Sequence, residues 1–319
     1  MNTQSNAMPG SPHDSQMNDS QINDSQILAP VVIPATRRMY WSVRRELGES
    51  RSIYIAPLAV AGLILFGFLI STIHLPDRMR AASALNPAQQ HELIAQPYDF
   101  AALLIMFTTF IVAVFYCLDA LYGERRDRSI LFWKSLPVSD LNTVLSKASI
   151  PLVVLPLLTF AITVVTQFVM LLLSTAVVGG SGLSVATLWT QLAFVQMSLL
   201  LLYHLVAVHA LWYAPLYAWL LLVSGWARRA PFLWAGLPPL AIGIVEKIAF
   251  NTSHFGAMLV NRMGGGAEAV TTPGSLPMDP MTHLTPSHFL SSPGLWIGLA
   301  IAAAFLAAAV RLRRYQAPI

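Results

Sequence analysis

Apolar residues along most of this chain do not alternate with polar ones. They gather into blocks about as long as a helical bilayer crossing, near 20 residues, separated by short polar or charged stretches. The blocks fall at about 53–73, 100–121, 150–178, 188–210, 231–250 and 294–310. This pattern predicts an all-α, polytopic integral membrane protein with six transmembrane helices, because a spanning backbone must satisfy its own hydrogen bonds. The third block ends at Gly179, Gly180, Ser181 and Gly182, which read as a tight turn, glycine tolerating the backbone angles required. The fourth block does not stop at residue 210 but continues without a charge to Ala227, with Pro215 inside it. That is too long for one straight crossing. A broken or re-entrant extension to residue 227 and a long tilted helix kinked at the proline both account for it.

The flanking segments are of another kind. Residues 1–36 are polar and carry a pentapeptide repeat, Asp14-Ser15-Gln16-Met17-Asn18, then Asp19-Ser20-Gln21-Ile22-Asn23, then Asp24-Ser25-Gln26-Ile27. A segment so poor in apolar area does not offset its ordering entropy, and a disordered tail is expected. It lacks the basic start and short apolar stretch of a cleavable signal peptide, so insertion is expected to rely on the first span. Residues 251–292 form a loop rich in Gly, Pro, Thr and Ser, and residues 315–319 a short tail. The membrane domain is therefore expected over residues 37–314.

Composition sharpens this picture. Hydrophobic residues make up 55% and charged residues 11% of the chain, against about 25% charged in soluble domains. No Asp, Glu, Lys or Arg occurs between Lys147 and Arg228, a run of 80 residues. The net charge of +4 does not argue for nucleic acid, since membrane proteins acquire basic totals from Lys and Arg in their cytoplasmic loops. Placing the amino terminus inside puts 15 of the 19 basic residues on the cytoplasmic side, leaving Arg78, Arg80, Lys247 and Arg262 outside. Both termini are then cytoplasmic. Cys117, the sole cysteine, lies in an apolar block and offers neither a disulfide framework nor a metal site.

A search for catalytic chemistry yields little. No Gly-rich loop ending in Lys-Ser or Lys-Thr, no His-Glu-x-x-His and no Gly-x-Ser-x-Gly occurs, so the chain is not expected to be an enzyme or to hydrolyse ATP by itself. His254, His283 and His288 with Met278 and Met281 are soft-metal ligand types, but their irregular spacing in a Pro-rich loop fits ordinary loop composition, and no metal site is expected. His204 and His209 stand five apart on an apolar helix, where α-helical geometry does not bring them to one face. They and Pro215 are the candidates for lining a translocation path. Glu246 and Lys247 lie about 22 Å along a helix starting at Pro231, which assigns them to an interface.

The most informative polar stretch follows the second block. Glu124, Arg125, Arg126, Asp127 and Arg128 lead into an apolar patch in which Ile130, Trp133 and Leu136 recur every third residue, predicting a short helix with one apolar face. Pro137 stops it. Ser139 or Asp140 is placed to cap a second helix, whose Leu141, Val144, Leu145 and Ala148 show amphipathic spacing and which runs through Lys147 into the third block.

These residues carry a resemblance. Glu124-Arg125-Arg126, then Ile130-Leu131, then Ser135-Leu136-Pro137-Val138-Ser139, then Lys147 resemble the loop between the second and third spans of ABC-2-type transporter permeases. The likeness covers roughly residues 37–314, leaving out the repeat-bearing tail. It implies a permease subunit of an ATP-driven exporter in a bacterial inner membrane, whose substrate the sequence does not name. It further implies a loop that acts as a coupling helix against a separate ATP-binding subunit through Glu124, Arg125, Arg126, Arg128, Ile130, Trp133, Leu136, Pro137 and Lys147. ATP and magnesium would sit on that partner, this chain binding no cofactor, and a second permease, identical or similar, would complete the assembly in lipid. The alternatives are an ion-coupled secondary transporter, for which only Asp119 and Glu246 are acids within or beside spans, and a non-transporting membrane enzyme or regulator.

Overall fold

A computed structural model describes residues 35–129, 139–264 and 286–315. The repeat-bearing residues 1–34, the apolar patch of the loop with Ile130, Trp133, Leu136 and Pro137, and residues 265–285 and 316–319 lie outside the described residues. The chain divides into two units, Met1–Arg38 and a helical body, Met39–Ile319. Among the described residues the structure is helical, with no strand. Six helices are long and apolar enough to cross a membrane: Ser52–Ser83, Gln89–Arg126, Asp140–Gly180, Val185–Trp212, Pro231–Phe250 and Pro293–Tyr315.

In chain order, α1 is Ala35–Glu49 and α2 Ser52–Ser71, followed by a 3-10 turn and α3, Leu75–Ser83. Asn86 starts α4, Pro87–Ala120, by accepting a hydrogen bond from the Gln89 amide at 2.9 Å, with Pro87 in the first turn where its missing N–H costs nothing. A one-turn helix α5, Tyr122–Arg126, follows. Beyond the loop, Ser139 caps α6, Asp140–Ser149, accepting from the Asn142 amide at 3.2 Å. Pro151 and Pro156 remove two amides from the next stretch, and the helix loosens into π geometry over Ile150–Val154 before α7, Leu155–Gly180. Gly182 makes the turn after it, with φ of 74°.

The long fourth block is broken three times. Helices α8, Val185–Leu192, and α9, Phe194–His204, are separated by Ala193 in the left-handed region, at φ 38°. A π-helix occupies Leu205–Trp212. After Tyr213 comes α10, Ala214–Trp226, with Pro215 in its first turn. The whole stretch nevertheless runs in one direction beside α4. His91 Nδ1 meets the Gln191 carbonyl at 2.7 Å, the Phe110 and Tyr213 rings lie 5.3 Å apart, and the Leu121 amide donates to Ser224 Oγ at 3.0 Å. Thirty residues of α4 are thus matched by thirty-three of its neighbour, which makes the extension past residue 210 a continuation of the same interrupted helix and not a re-entrant piece.

The remaining helices are α11, Pro231–Phe250; α12, His254–Met263; α13, Pro286–Ser291; and α14, Pro293–Tyr315. Glu246 accounts for the α11–α12 corner. Its carboxylate accepts from the Thr252 hydroxyl at 2.8 Å and from the His254 and Phe255 amides at 2.7 and 2.8 Å, capping α12 while Asn251 turns the chain at φ 51°. The far end of α12 is fixed by Trp212 Nε1 and Tyr213 Oη, which donate to the Arg262 and Met263 carbonyls at 3.0 and 2.9 Å. The Arg262 guanidinium in turn stacks over Trp212, 4.1 Å from the ring centre. No residue of α11 is buried.

The interior is drawn from α4, α7, α9, the π-helix, α10 and α14, while large apolar side chains cover much of the exterior, among them Leu63, Phe66 and Ile248, the last 80% exposed.

Candidate functional site

The sequence-predicted coupling residues separate into two groups at the base of the 127–138 loop. Lys147 Nζ, 2% exposed, lies 2.9 and 3.1 Å from the two oxygens of Glu46 and 3.1 Å from Glu124 Oε1. Arg313 binds the other oxygen of Glu124 through Nη1 and Asp140 through Nε at 3.2 Å. Arg45 reaches Glu46 at 2.9 Å and Glu124 at 3.6 Å, and the Tyr116 hydroxyl donates to Glu46 at 2.9 Å. Glu46, Glu124 and Asp140 therefore face Arg45, Lys147 and Arg313, with the exposed Glu49 also pairing with Arg45 at 3.3 Å at the rim, and among the described residues each charge of the knot has an opposite partner. Closure matters because an unpaired charge at this depth is costly, whereas a fully paired set is tolerable. The knot joins α1, α4, α5, α6 and α14, five helices from three separate stretches of the chain.

Arg125 is buried beside it. Its Nη1 donates to the carbonyls of Gly225 and Ala227 at 2.6 and 3.2 Å, a cation on the open carboxyl end of α10. Ser224 Oγ accepts from the amides of Leu121 and Tyr122, stapling the α4–α5 joint to the same helix end. Glu124, Arg125 and Lys147 thus face inward, their charges engaged by other helices of this chain. Arg126 and Arg128 remain exposed, Arg126 pairing loosely with Asp119 at 3.9 Å and closely with Asp127 at 3.0 Å. The rotation of α6 is also not the one its apolar spacing predicts. Val144 and Ala148 are buried, but Leu141 and Leu145 are exposed, because Lys147 is drawn inward to Glu46 and Glu124 and Thr143 and Ser146 turn in with it.

A second polar feature runs through the apolar interior. On α7, Thr159, Thr163, Thr166, Gln167 and Ser174 are all buried, at spacings that keep them to one face. Thr159 donates to the Leu155 carbonyl at 2.7 Å and meets Thr109 at 3.0 Å; Gln167 Nε2 donates to the Tyr98 carbonyl at 3.1 Å, and the Tyr98 and Ser174 hydroxyls meet at 2.9 Å. Thr163 Oγ1 and Gln167 Oε1 have no hydrogen-bond partner. The stripe escaped the sequence reading, although threonines at 159, 163 and 166 on an otherwise apolar helix were a legible signal.

His204 and His209 also lie inside, and here the sequence expectation fails outright. Their rings are 5.7 Å apart and tilted by 55°, and His209 stands edge-on to Tyr213 at 5.5 Å. Residues five apart miss each other on an α-helix, but the π-helix at Leu205–Trp212 bonds at a spacing of five and returns the chain to the same face. Pro215, half-buried in the first turn of α10, lies just beyond. Of the histidine–methionine loop array, His254 is exposed at the start of α12, while Met278, Met281, His283 and the side chain of His288 are outside the described residues. Among the described residues no group of three or more His, Cys, Asp or Glu is gathered to hold a metal ion.

No family model matches the chain, and neither curated proteins nor solved structures include a match to it. The class defined by fold and site is an all-helical protein with six helices long and apolar enough to cross a membrane.

Proposed function

We propose that this chain is the membrane-spanning permease subunit of an ATP-driven exporter, working with a separate ATP-binding subunit. The observation that carries the reading is the closed ion knot at the base of the arginine-bearing loop. Paired, buried charges that join α1, α4, α5, α6 and α14 couple those helices: a push delivered beside Arg126 and Arg128 displaces them together. The partner's closure on nucleotide would supply that push. Arg126 and Arg128, exposed and outside the knot, are the loop cations placed to meet acids on such a partner, Arg126 by exchanging its surface pair with Asp127.

The bilayer part of the reading rests on length and surface. Helix α4 has 34 residues, about 50 Å, and passes through about 30 Å of hydrocarbon with a projecting end. The outward Leu63, Phe66 and Ile248 are at home against acyl chains. With six crossings, the end bearing Arg126, Arg128, Arg228 and Arg314 is cytoplasmic by the positive-inside rule. Export of an unidentified substrate, a bacterial inner membrane and assembly with a second permease follow from the resemblance of the loop to ABC-2-type permeases.

The test is affinity purification from mildly solubilised membranes. An ATP-binding subunit is expected to accompany the wild type and to be lost from Arg126→Glu/Arg128→Glu, while Arg78→Glu/Arg80→Glu at the opposite end retains it. Absence of any ATPase from the wild-type sample defeats the exporter reading.

A further inference from the structure

Among the described residues no group partners the nitrogens of the paired histidines. Nδ1 and Nε2 of both His204 and His209 lack a hydrogen bond there, although the residues are only 2% and 3% exposed. Leaving a buried polar group unmatched costs about 1–3 kcal/mol each, and natural structures that do so commonly hold something there. The π-helix is a further costly feature, since its hydrogen bonding is rarely adopted and tends to occur where a function requires it. Its effect here is specific: it brings two imidazoles together that an α-helix would keep apart.

We infer that His204 and His209 form a binding site for one soft monovalent metal ion, of the copper(I) type, in the middle of the bundle. Imidazole is a good ligand for copper. With a metal–nitrogen distance of about 2.0 Å and about 1.2 Å more to each ring centre, two imidazoles on one ion have centroids about 5.2 Å apart at a tetrahedral angle and about 6.4 Å apart in line. The observed 5.7 Å falls between these limits. Charge selects the monovalent ion. No Asp, Glu, Lys or Arg occurs from residue 148 to 227, so two neutral imidazoles would leave a divalent ion with twice the uncompensated charge in a poorly polarisable interior. Ion binding here is independent of the exporter reading, because it belongs to the isolated chain.

The experiment titrates the purified full chain with copper(I) buffered by a chromophoric chelator, with zinc(II) as comparator. The other candidate soft ligands are removed in a control variant, Met278→Leu/Met281→Leu/His283→Ala/His288→Ala. One copper per chain is expected in the wild type and control, and its loss in His204→Gln/His209→Gln. X-ray absorption of the loaded wild type is expected to show a first shell containing both imidazoles, a readout that does not depend on the double variant folding. The inference is overturned if the double variant binds like the wild type, if the shell lacks two nitrogens, or if zinc(II) is held while copper(I) is not.

Discussion

Lys147 is the side chain on which the loop base turns. It binds both oxygens of Glu46 and one of Glu124, so its replacement leaves Glu46 to Arg45 and the Tyr116 hydroxyl and Glu124 to Arg313, with a cation missing from between the two buried carboxylates. Lys147→Met is expected to lose about 3–5 kcal/mol of stability, the usual cost of breaking a buried pair from one side. Adding Glu46→Gln should return part of that loss, because the Glu46 charge is removed while Arg313 still holds Glu124; thermal unfolding of the detergent-solubilised protein measures both. Glu246 makes a smaller and local contribution. Glu246→Gln keeps the side chain's shape but weakens the cap on α12, and amide exchange at His254 and Phe255 should quicken while the core helices are unchanged.

At the scale of elements, the irregular fourth helix owes its histidine pair to one π segment. One residue deleted from Leu205–Trp212 would convert its π turns into α turns and rotate everything before it by about 100° relative to α10. The face of α9 formed by Met197, Leu201 and His204, buried now against neighbouring helices, would then point elsewhere. Such a deletion, for example of Val206, is expected to lower the folded yield sharply in size-exclusion chromatography. The same deletion in the exposed first turn of α12 should be tolerated. This contrast separates a required irregularity from general sensitivity to shortening.

For the whole molecule, the arrangement of charges gives a topology that labelling can check. Cys117 is fully buried, so a Cys117→Ala background leaves a chain in which single introduced cysteines report position. A cysteine at Arg126 or Arg314 is expected to react with an impermeant maleimide only after the cytoplasmic face is opened. One at Asp77 or Arg80 is expected to react from outside intact cells. Reversal of that pattern would turn the proposed docking loop away from any cytoplasmic ATPase and defeat both parts of the reading together.

Block length, charge placement and turn residues were enough to read the six long helices, the Ser139 cap and the Gly182 turn from the sequence, because each is a local property of a short segment. The fate of the loop's charges was not local. Glu124, Arg125 and Lys147 share a motif with Arg126 and Arg128, and only helices from elsewhere, carrying Glu46, Ser224 with its neighbouring carbonyls, and Arg313, decide which of them turn inward. The histidine pair escaped for a related reason. A spacing of five argues against a shared face as long as the helix is taken to be α, and Leu205–Trp212, packed against α7 and α14, is π. What this sequence determined by itself was how many apolar helices it makes and where they begin; tertiary contacts decided which polar groups those helices bury and pair, since burial is a property of neighbours and not of the segment.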